Sequence, residues 1–499
     1  MLRVDSASLQ VRPTAAHCLV MALLLSFTSP ATSLQAQVRT ATPLPTALPA
    51  GDPAPQSPDR YRGLAMELLA ELVAINTTQS VGDNTLAAEA MRDRLLAAGF
   101  PAGDIQVVVP APQKGNLVAR FRGRDPSLSP ILLLAHIDVV EADAEDWTLP
   151  PFELVERAGV FYGRGTADNK DEAAIYVANF IRMLDEGFIP QRDIVLALTA
   201  DEEGGPVNGV VHLLAEHRGL VDAAFVVNEG GGGILDEGGA RIANTIQAAE
   251  KKYQNVAVEV TNPGGHSSRP RPDNAIVELS RALTRIGDFN FPVRLNEVTR
   301  AYFERAADFE EPALAAAIRE LLADESDSAA IQRLSQDARL NAMLRTTCVP
   351  TLLEGGHAPN ALPQRAQANV NCRILPDEDP QDVLRMLQEA VDDPSVTLSL
   401  SGQAQDSPPS PLTDEILGAV EQITGEMWPD VPVVPTMSTG ATDGLYFRNA
   451  GIPVYGVSGL FYGETGAHGM NERIPVQSFY EGQEFLYRLV KRLANPPVM

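Results

Sequence analysis

Several segments of this sequence carry imidazole or carboxylate groups directly after apolar runs. Ala135-His136-Ile137-Asp138 follows Ile131 to Leu134, Thr199-Ala200-Asp201-Glu202-Glu203 follows Ile194 to Leu198, and Asn228-Glu229 follows Phe225 to Val227. A fourth run, Val454 to Val457, leads through a loop to Gly466-Ala467-His468-Gly469, and Gly163-Arg164-Gly165-Thr166-Ala167-Asp168 leads into a helix whose first turn is expected to hold Asp168 or its neighbours. Singly these are weak signals. A lone His-x-Asp is ordinarily a structural histidine with an acidic partner, Asp168 could simply cap a helix, and adjacent glutamates are usually a solvated pair. Together they point elsewhere, because carboxylates crowded at one rim repel one another unless cations neutralise them. Two imidazoles among such carboxylates suit zinc.

The apolar runs read as strands alternating with helices. The spacing of Leu64, Leu68, Leu69 and Leu72 predicts one helix, and Leu86 to Leu96, closed by Gly99, predicts another. That alternation argues for α/β architecture, an open mixed sheet flanked by helices, in which ligands sit beyond the C-terminal ends of the strands. From about Lys252 to Ser401 the order becomes strand (Asn255 to Val260), helix (Asn274 to Ile286), strands (Arg345 to Leu353 and Gln364 to Leu375), helix (Asp382 to Val391) and strand (Val396 to Leu400). This βαββαβ order is that of a small α+β domain inserted into the first. Within it, 295 to 344 is rich in Ala, Glu, Leu and Arg and reads as an extra helical elaboration. The expected organisation is a signal peptide at 1–36, a Pro-rich linker at 37–58, a catalytic domain in two parts at 59–250 and 406–499, and the inserted domain at 251–405.

Over nearly everything after the linker, the sequence resembles the co-catalytic zinc family that includes carboxypeptidase S, glutamate carboxypeptidase, aminoacylase and succinyl-diaminopimelate desuccinylase. The carboxypeptidase S branch is the nearest in pattern. The likeness rests on Ala135 to Val140, Trp147 to Lys170, Thr199 to Gly204, Gly264-Gly265-His266-Ser267-Ser268 and Arg345 to Pro376. It implies that His136, Asp168 and Glu229 hold one Zn2+ ion while Asp168, Glu203 and His468 hold a second, with Co2+ or Mn2+ as possible substitutes. Asp168 would bridge the two, with a cis peptide after it. Asp138 would orient His136, and Glu202 would be the general base. His266 would stabilise the oxyanion, and Asn360, Arg373 and the Ser438 to Gly444 loop around Gly440 would bind the substrate carboxylate. The inserted domain would be a lid and a homodimer interface. Two departures stand out: Asp171 follows Lys170 where the family usually has Gly, and the 295 to 344 insertion is absent from the simplest dimeric members.

The implied reaction is hydrolysis of an amide bond next to a free carboxylate, in a small peptide or an N-acyl amino acid. Glu at 229 fits members that accept those substrates, since aminopeptidase-like relatives tend to carry Asp there. A dipeptidase or aminopeptidase of the same fold is the alternative within enzymes. A non-catalytic binding protein is the alternative outside them, but every ligand and the base are present. With 39 Lys and Arg against 65 Asp and Glu, the formal charge of -26 disfavours nucleic acid as a partner. Arg3 and Arg12 followed by the apolar run Leu19 to Phe27 resemble an export signal and predict a secreted or periplasmic protein, with no stretch long enough to span a membrane. Signal removal would leave Cys348 and Cys372 as the only thiols. Their midpoint is residue 360, so a symmetric antiparallel hairpin turning there would set them opposite each other, within disulfide range.

Overall fold

The computed structural model describes residues 54–236 and 238–496, so the expected signal segment and the linker as far as residue 53 lie outside the described residues. Its central feature is a ten-stranded mixed sheet. The four strands expected from the apolar runs are Ile131–His136, Ile194–Thr199, Phe225–Asn228 and Val454–Gly456. They run parallel to their neighbours among themselves, with His136 paired to Thr199 and Gly456 to Asn228, so their C-terminal ends share one rim. Ile131–His136 and Ile194–Thr199 are buried along their whole length, as parallel strands covered on both faces must be. Alternate residues feed two cores: Leu133 and Leu196 face the helices Asp59–Ala74, Lys170–Asp185 and Val476–Leu493, while Leu132, Leu134 and Val195 face Val210, Leu213 and Phe447.

Several strands of this sheet gave no clear apolar run in the sequence. Ile105–Val108 and Asn116–Phe121 add antiparallel to one edge. Arg241–Glu250 pairs with Val433–Ser438 and contains Asn244, Thr245 and Gln247, polar residues buried through hydrogen bonds to Thr424, Gly232 and Ala249. Hydrogen-bonded polar side chains break the hydrophobic pattern without excluding a strand from the interior, even where one atom, Asn244 Oδ1, has no partner among the described residues.

The second sheet has the order Thr347–Gly355, Arg365–Ile374, Lys252–Thr261, Val396–Ser401, antiparallel throughout, with helices Ala275–Asp288 and Pro380–Val391 packed on it. Val256, Val258, Val260, Leu279, Val370 and Leu387 form its separate core. Cys348 and Cys372 are directly opposed in register, 4.0 Å apart at Cα, and joined as a disulfide. The hairpin turns about residue 360, as expected, through a long loop between Gly355 and Arg365. A bulge at Pro350/Leu352 shifts the register, and Ala361–Leu362 leaves to pair with Gly265–His266.

Residues 295 to 344 form four helices, Glu297–Ala306, Pro312–Ala323, Ser328–Leu334 and Ala338–Leu344. They pack on the large sheet, where Tyr302, Phe303, Leu340 and Leu344 enclose Ala243 and Val434. The chain therefore leaves the smaller sheet and returns to it through this helical layer. A three-stranded sheet, Arg473–Pro475, Val160–Tyr162 and Val155–Arg157, ties the segment leading into Gly163 to the segment after His468.

Candidate metal centre

Five short segments converge at the rim of the large sheet. Asp168 lies between two imidazoles, with Oδ1 at 3.0 Å from His136 Nε2 and Oδ2 at 3.1 Å from His468 Nε2. Glu229 Oε2 is 3.7 Å from the same His136 nitrogen, and Glu203 Oε2 is 3.0 Å from the same His468 nitrogen. Two three-residue sets thus share one carboxylate, each oxygen of which faces a different set. Ligand atoms bonded to a single zinc at ~2.0–2.2 Å stand roughly 3.4 Å from one another in a tetrahedron, so these spacings fit a cation in each set. Glu202 also falls with His136 and Glu229 in a group whose ligand atoms all lie within 4.8 Å. The contact to His468, however, is made by Glu203.

The local structure explains how those side chains are aimed. Asp168 lies just before the helix Lys170–Asp185, whose first turn holds its neighbours Lys170 and Asp171, as expected, and the bond from Asp168 to Asn169 is a cis peptide. Gly165 has φ +90°, and a Cβ there would lie 2.7 Å from Lys170 Cδ, so only glycine fits this approach. Lys170 is buried and donates to the carbonyls of Leu72 and Ile75, which locks the start of its helix to the end of Asp59–Ala74. Arg164 ion-pairs with Glu472 at 2.7 Å and donates to the Gly469 carbonyl, while Glu472 accepts the N–H groups of Gly165 and Ala167. This buried pair joins the Asp168 segment to the His468 loop. Glu472 was not singled out in the sequence; its only signal is a glutamate four residues after a candidate ligand histidine.

Asp138 has two tasks. His136 Nδ1 lies 3.1 Å from its carbonyl and 3.6 Å from its carboxylate, which leaves Nε2 free for Asp168. Its carboxylate oxygens also accept the N–H groups of Glu202 at 3.1 Å and Glu203 at 3.0 Å. Asp201 adopts φ +60° just before them and is held by an ion pair with Lys114.

Electrostatics favours cations at this rim. Burial, with the charge of Glu229, pushes the Glu202 carboxyl well above its ordinary range, and burial with the charge of Asp168 pushes Glu203 up to about 7. Asp168 is buried too, yet the hydrogen bonds from His136 and His468 hold it below the ordinary carboxylate range. The same bond to Asp168 lifts His468 to about 9. Asp171, in the place of the expected glycine, donates nothing to the rim. It accepts from Tyr462 at 2.9 Å, and burial drives its carboxyl well upward.

The candidates from the smaller sheet form a separate group. His266 is exposed and accepts from the Ser268 N–H, and Ser267 N–H donates to the carbonyl of Asn360. Arg373 stacks over Tyr253 at 4.8 Å, and no carboxylate among the described residues pairs with it. Among the described residues, none of the three is hydrogen-bonded or ion-paired to the rim cluster. Gly440 lies in the loop after Val433–Ser438, where its N–H donates to Ser438 Oγ, and Thr442 and Asp443 anchor the end of that loop.

Known proteins place this chain in a family. The profile of peptidase family M20/M25/M40 matches residues 132–492. The chain is 32% identical over 383 residues to the N-fatty-acyl-amino acid synthase/hydrolase PM20D1 of Homo sapiens, covering 74% of this chain and 75% of that one. It is 29% identical to the probable carboxypeptidase S-like 2 of Dictyostelium discoideum, covering 75% and 74%. Among solved structures, an M20 family metallo-carboxypeptidase from Sulfolobus solfataricus superposes with a TM-score of 0.65 at 19% identity, covering 86% of this chain and 99% of that one. That likeness concerns the fold. The matched profile and the relatives make this chain a metal-dependent peptidase or amidohydrolase, a member of peptidase family M20/M25/M40.

Proposed function

We propose that the protein is an exported two-zinc hydrolase that cleaves the amide bond next to a free carboxylate, in N-acyl amino acids or at the C-terminus of small peptides. The observation that carries this reading is the shared Asp168, one oxygen toward His136 and Glu229 and the other toward His468 and Glu203. His136, Asp168 and Glu229 would hold one zinc and Asp168, Glu203 and His468 the other. Bound there, the pair supplies Lewis acidity, making a water more acidic and favouring charge on the amide oxygen.

The chain's own groups do the rest. Glu202, raised by burial and with no ion-pair partner among the described residues, is suited to take a proton from the attacking water and give it to the departing nitrogen. Asp138 keeps His136 in the tautomer that offers Nε2 to the metal and fixes the Glu202 backbone. Arg373 has a planar fork with no competing carboxylate and would receive the substrate carboxylate beside Asn360 and the Gly440 loop, with His266 at the amide oxygen. These residues lie on the smaller sheet or the loop, so the inserted domain would close over the substrate as a lid. Names of the relatives support the substrate class: one acts on N-fatty-acyl-amino acids and another is carboxypeptidase S-like. The disulfide supports export, since such bonds persist in oxidising compartments.

The test is a side-by-side assay of N-acyl amino acids, N-blocked dipeptides and free dipeptides on the zinc-loaded protein. Acylated and blocked substrates with free C-termini should turn over fastest, with activity lost on chelation. Preference for free dipeptides would move the reading to a dipeptidase.

A further inference from the structure

The turn that carries Glu202 is fastened through the backbone of four successive residues, Ala200 to Glu203, and one of its fasteners leads to a different part of the site. Ala200 N–H donates to Asn116 Oδ1, and Asp138 takes the N–H groups of Glu202 and Glu203. The carbonyl of Asp201, the last before Glu202, accepts from Asn208 Nδ2 at 3.1 Å. The same Nδ2 donates at 2.6 Å to Asp443 Oδ1, while Asn208 Oδ1 caps the helix Gly209–Glu216 through Val211 N–H. Every hydrogen-bonding edge of Asn208 faces one of three elements. Asp443 is only 4% exposed, and its Oδ2 has no hydrogen-bond partner among the described residues.

Asp443 closes the 438 to 444 loop, and its neighbour Thr442 is held as firmly. Thr442 donates through N–H and Oγ1 to Glu250, itself ion-paired with Arg448 at 2.8 Å, and accepts from Asn228, the residue before Glu229. The Thr442–Asp443 pair therefore touches the strand end that presents Glu229 through Asn228 and the turn that presents Glu202 through Asn208. The second link, through a short hydrogen bond to a buried carboxylate, spans 235 residues of sequence to reach the carbonyl next to the base.

We propose that Asn208 and Asp443 are a positioning pair that fixes the Glu202 turn against the loop receiving the substrate carboxylate, an inference that rests on Glu202 being the general base. Neither residue touches the reacting atoms; each acts through the backbone it holds. A misplacement of about 1 Å in a catalytic group can cost ~10²-fold.

The experiment compares Asn208→Ala, Asp443→Ala, Asp443→Asn and the Asn208→Ala/Asp443→Ala double variant with wild type and Glu202→Gln. Each zinc-loaded protein is assayed on an N-acetyl amino acid, with bound zinc, melting temperature and amide hydrogen exchange across residues 199 to 205 measured alongside. The alanine variants should lose about 10- to 100-fold in kcat with KM and zinc content little changed, and exchange at Glu202 and Glu203 should quicken. The double variant should lose no more than the worse single one, because the two residues form one link. Asp443→Asn keeps an acceptor for Asn208 and should recover most of kcat. An inactive Glu202→Gln beside alanine variants with wild-type kcat and exchange would overturn the pair alone. A Glu202→Gln protein with wild-type turnover would overturn the base assignment and the pair with it. Lowered melting temperature with unchanged kcat per zinc-loaded protein would show that the link serves folding only.

Discussion

At the residue scale, Glu202 and Glu203 are adjacent in sequence and meet different partners. Glu203 lies 3.0 Å from His468, whereas Glu202 has no imidazole contact of that kind, although both are pushed upward by burial. Glu202→Gln should therefore keep two zincs per chain and lose ~10²–10⁴-fold in kcat, the usual range for a missing general base. Elemental analysis decides this: loss of a zinc from Glu202→Gln, with retention in Glu203→Gln, would reverse the two roles. Arg373 belongs to the same scale. With Tyr253 at 4.8 Å as its recorded partner, its charge is available to an anion. Arg373→Ala should erase most of the preference for free over amidated C-termini, measured as the ratio of kcat/KM values, and an unchanged ratio would remove it from the carboxylate site.

At the element scale, the strand junctions of the smaller sheet carry two measurable effects. The Cys348–Cys372 disulfide joins neighbouring strands and closes a loop with a sequence separation of 24. By the chain-entropy relation such a closure contributes about 3 kcal/mol. Urea unfolding of the Cys348→Ala/Cys372→Ala variant should show a loss of that order, and an equal loss should follow reductant treatment of the wild type. Lys251 sits where the large sheet passes into the smaller one, buried and donating to the Arg345 carbonyl, and burial lowers its ammonium from 10.5 to about 7. Between those values the unfolded chain binds a proton that the folded chain does not, so this group's contribution to stability rises with pH from about 7 upward. Below that window the buried charge is a standing cost. The stability advantage of wild type over Lys251→Met should then grow between pH 6.5 and 9.5 in urea titrations; a constant gap would mean the ammonium titrates normally.

At the scale of the whole molecule, Thr347–Gly355 is an edge strand with Val349, Leu352 and Leu353 exposed. Unpaired edges with apolar side chains invite another strand. A homodimer through this edge would cover them, and Leu353→Glu should shift sedimentation from dimer to monomer; a wild type that sediments as a monomer at tens of micromolar would exclude it.

The sequence by itself determined the strand ends that carry the site, since His136, Glu203 and Glu229 each follow a run of apolar residues that has to be buried on both faces. It also pointed to the opposition of Cys348 and Cys372, because a symmetric hairpin about residue 360 sets them face to face, while the register that excludes a one-residue slip came from the structure. The position of Asp168 before its helix, the part of Glu472 and the attachment of the helical insertion to the large sheet were decided only by the tertiary structure. The reason is physical. Strand burial is written in local periodicity, whereas a buried ion pair such as Arg164–Glu472 joins residues 308 apart, and its partner is chosen by packing that no local pattern records.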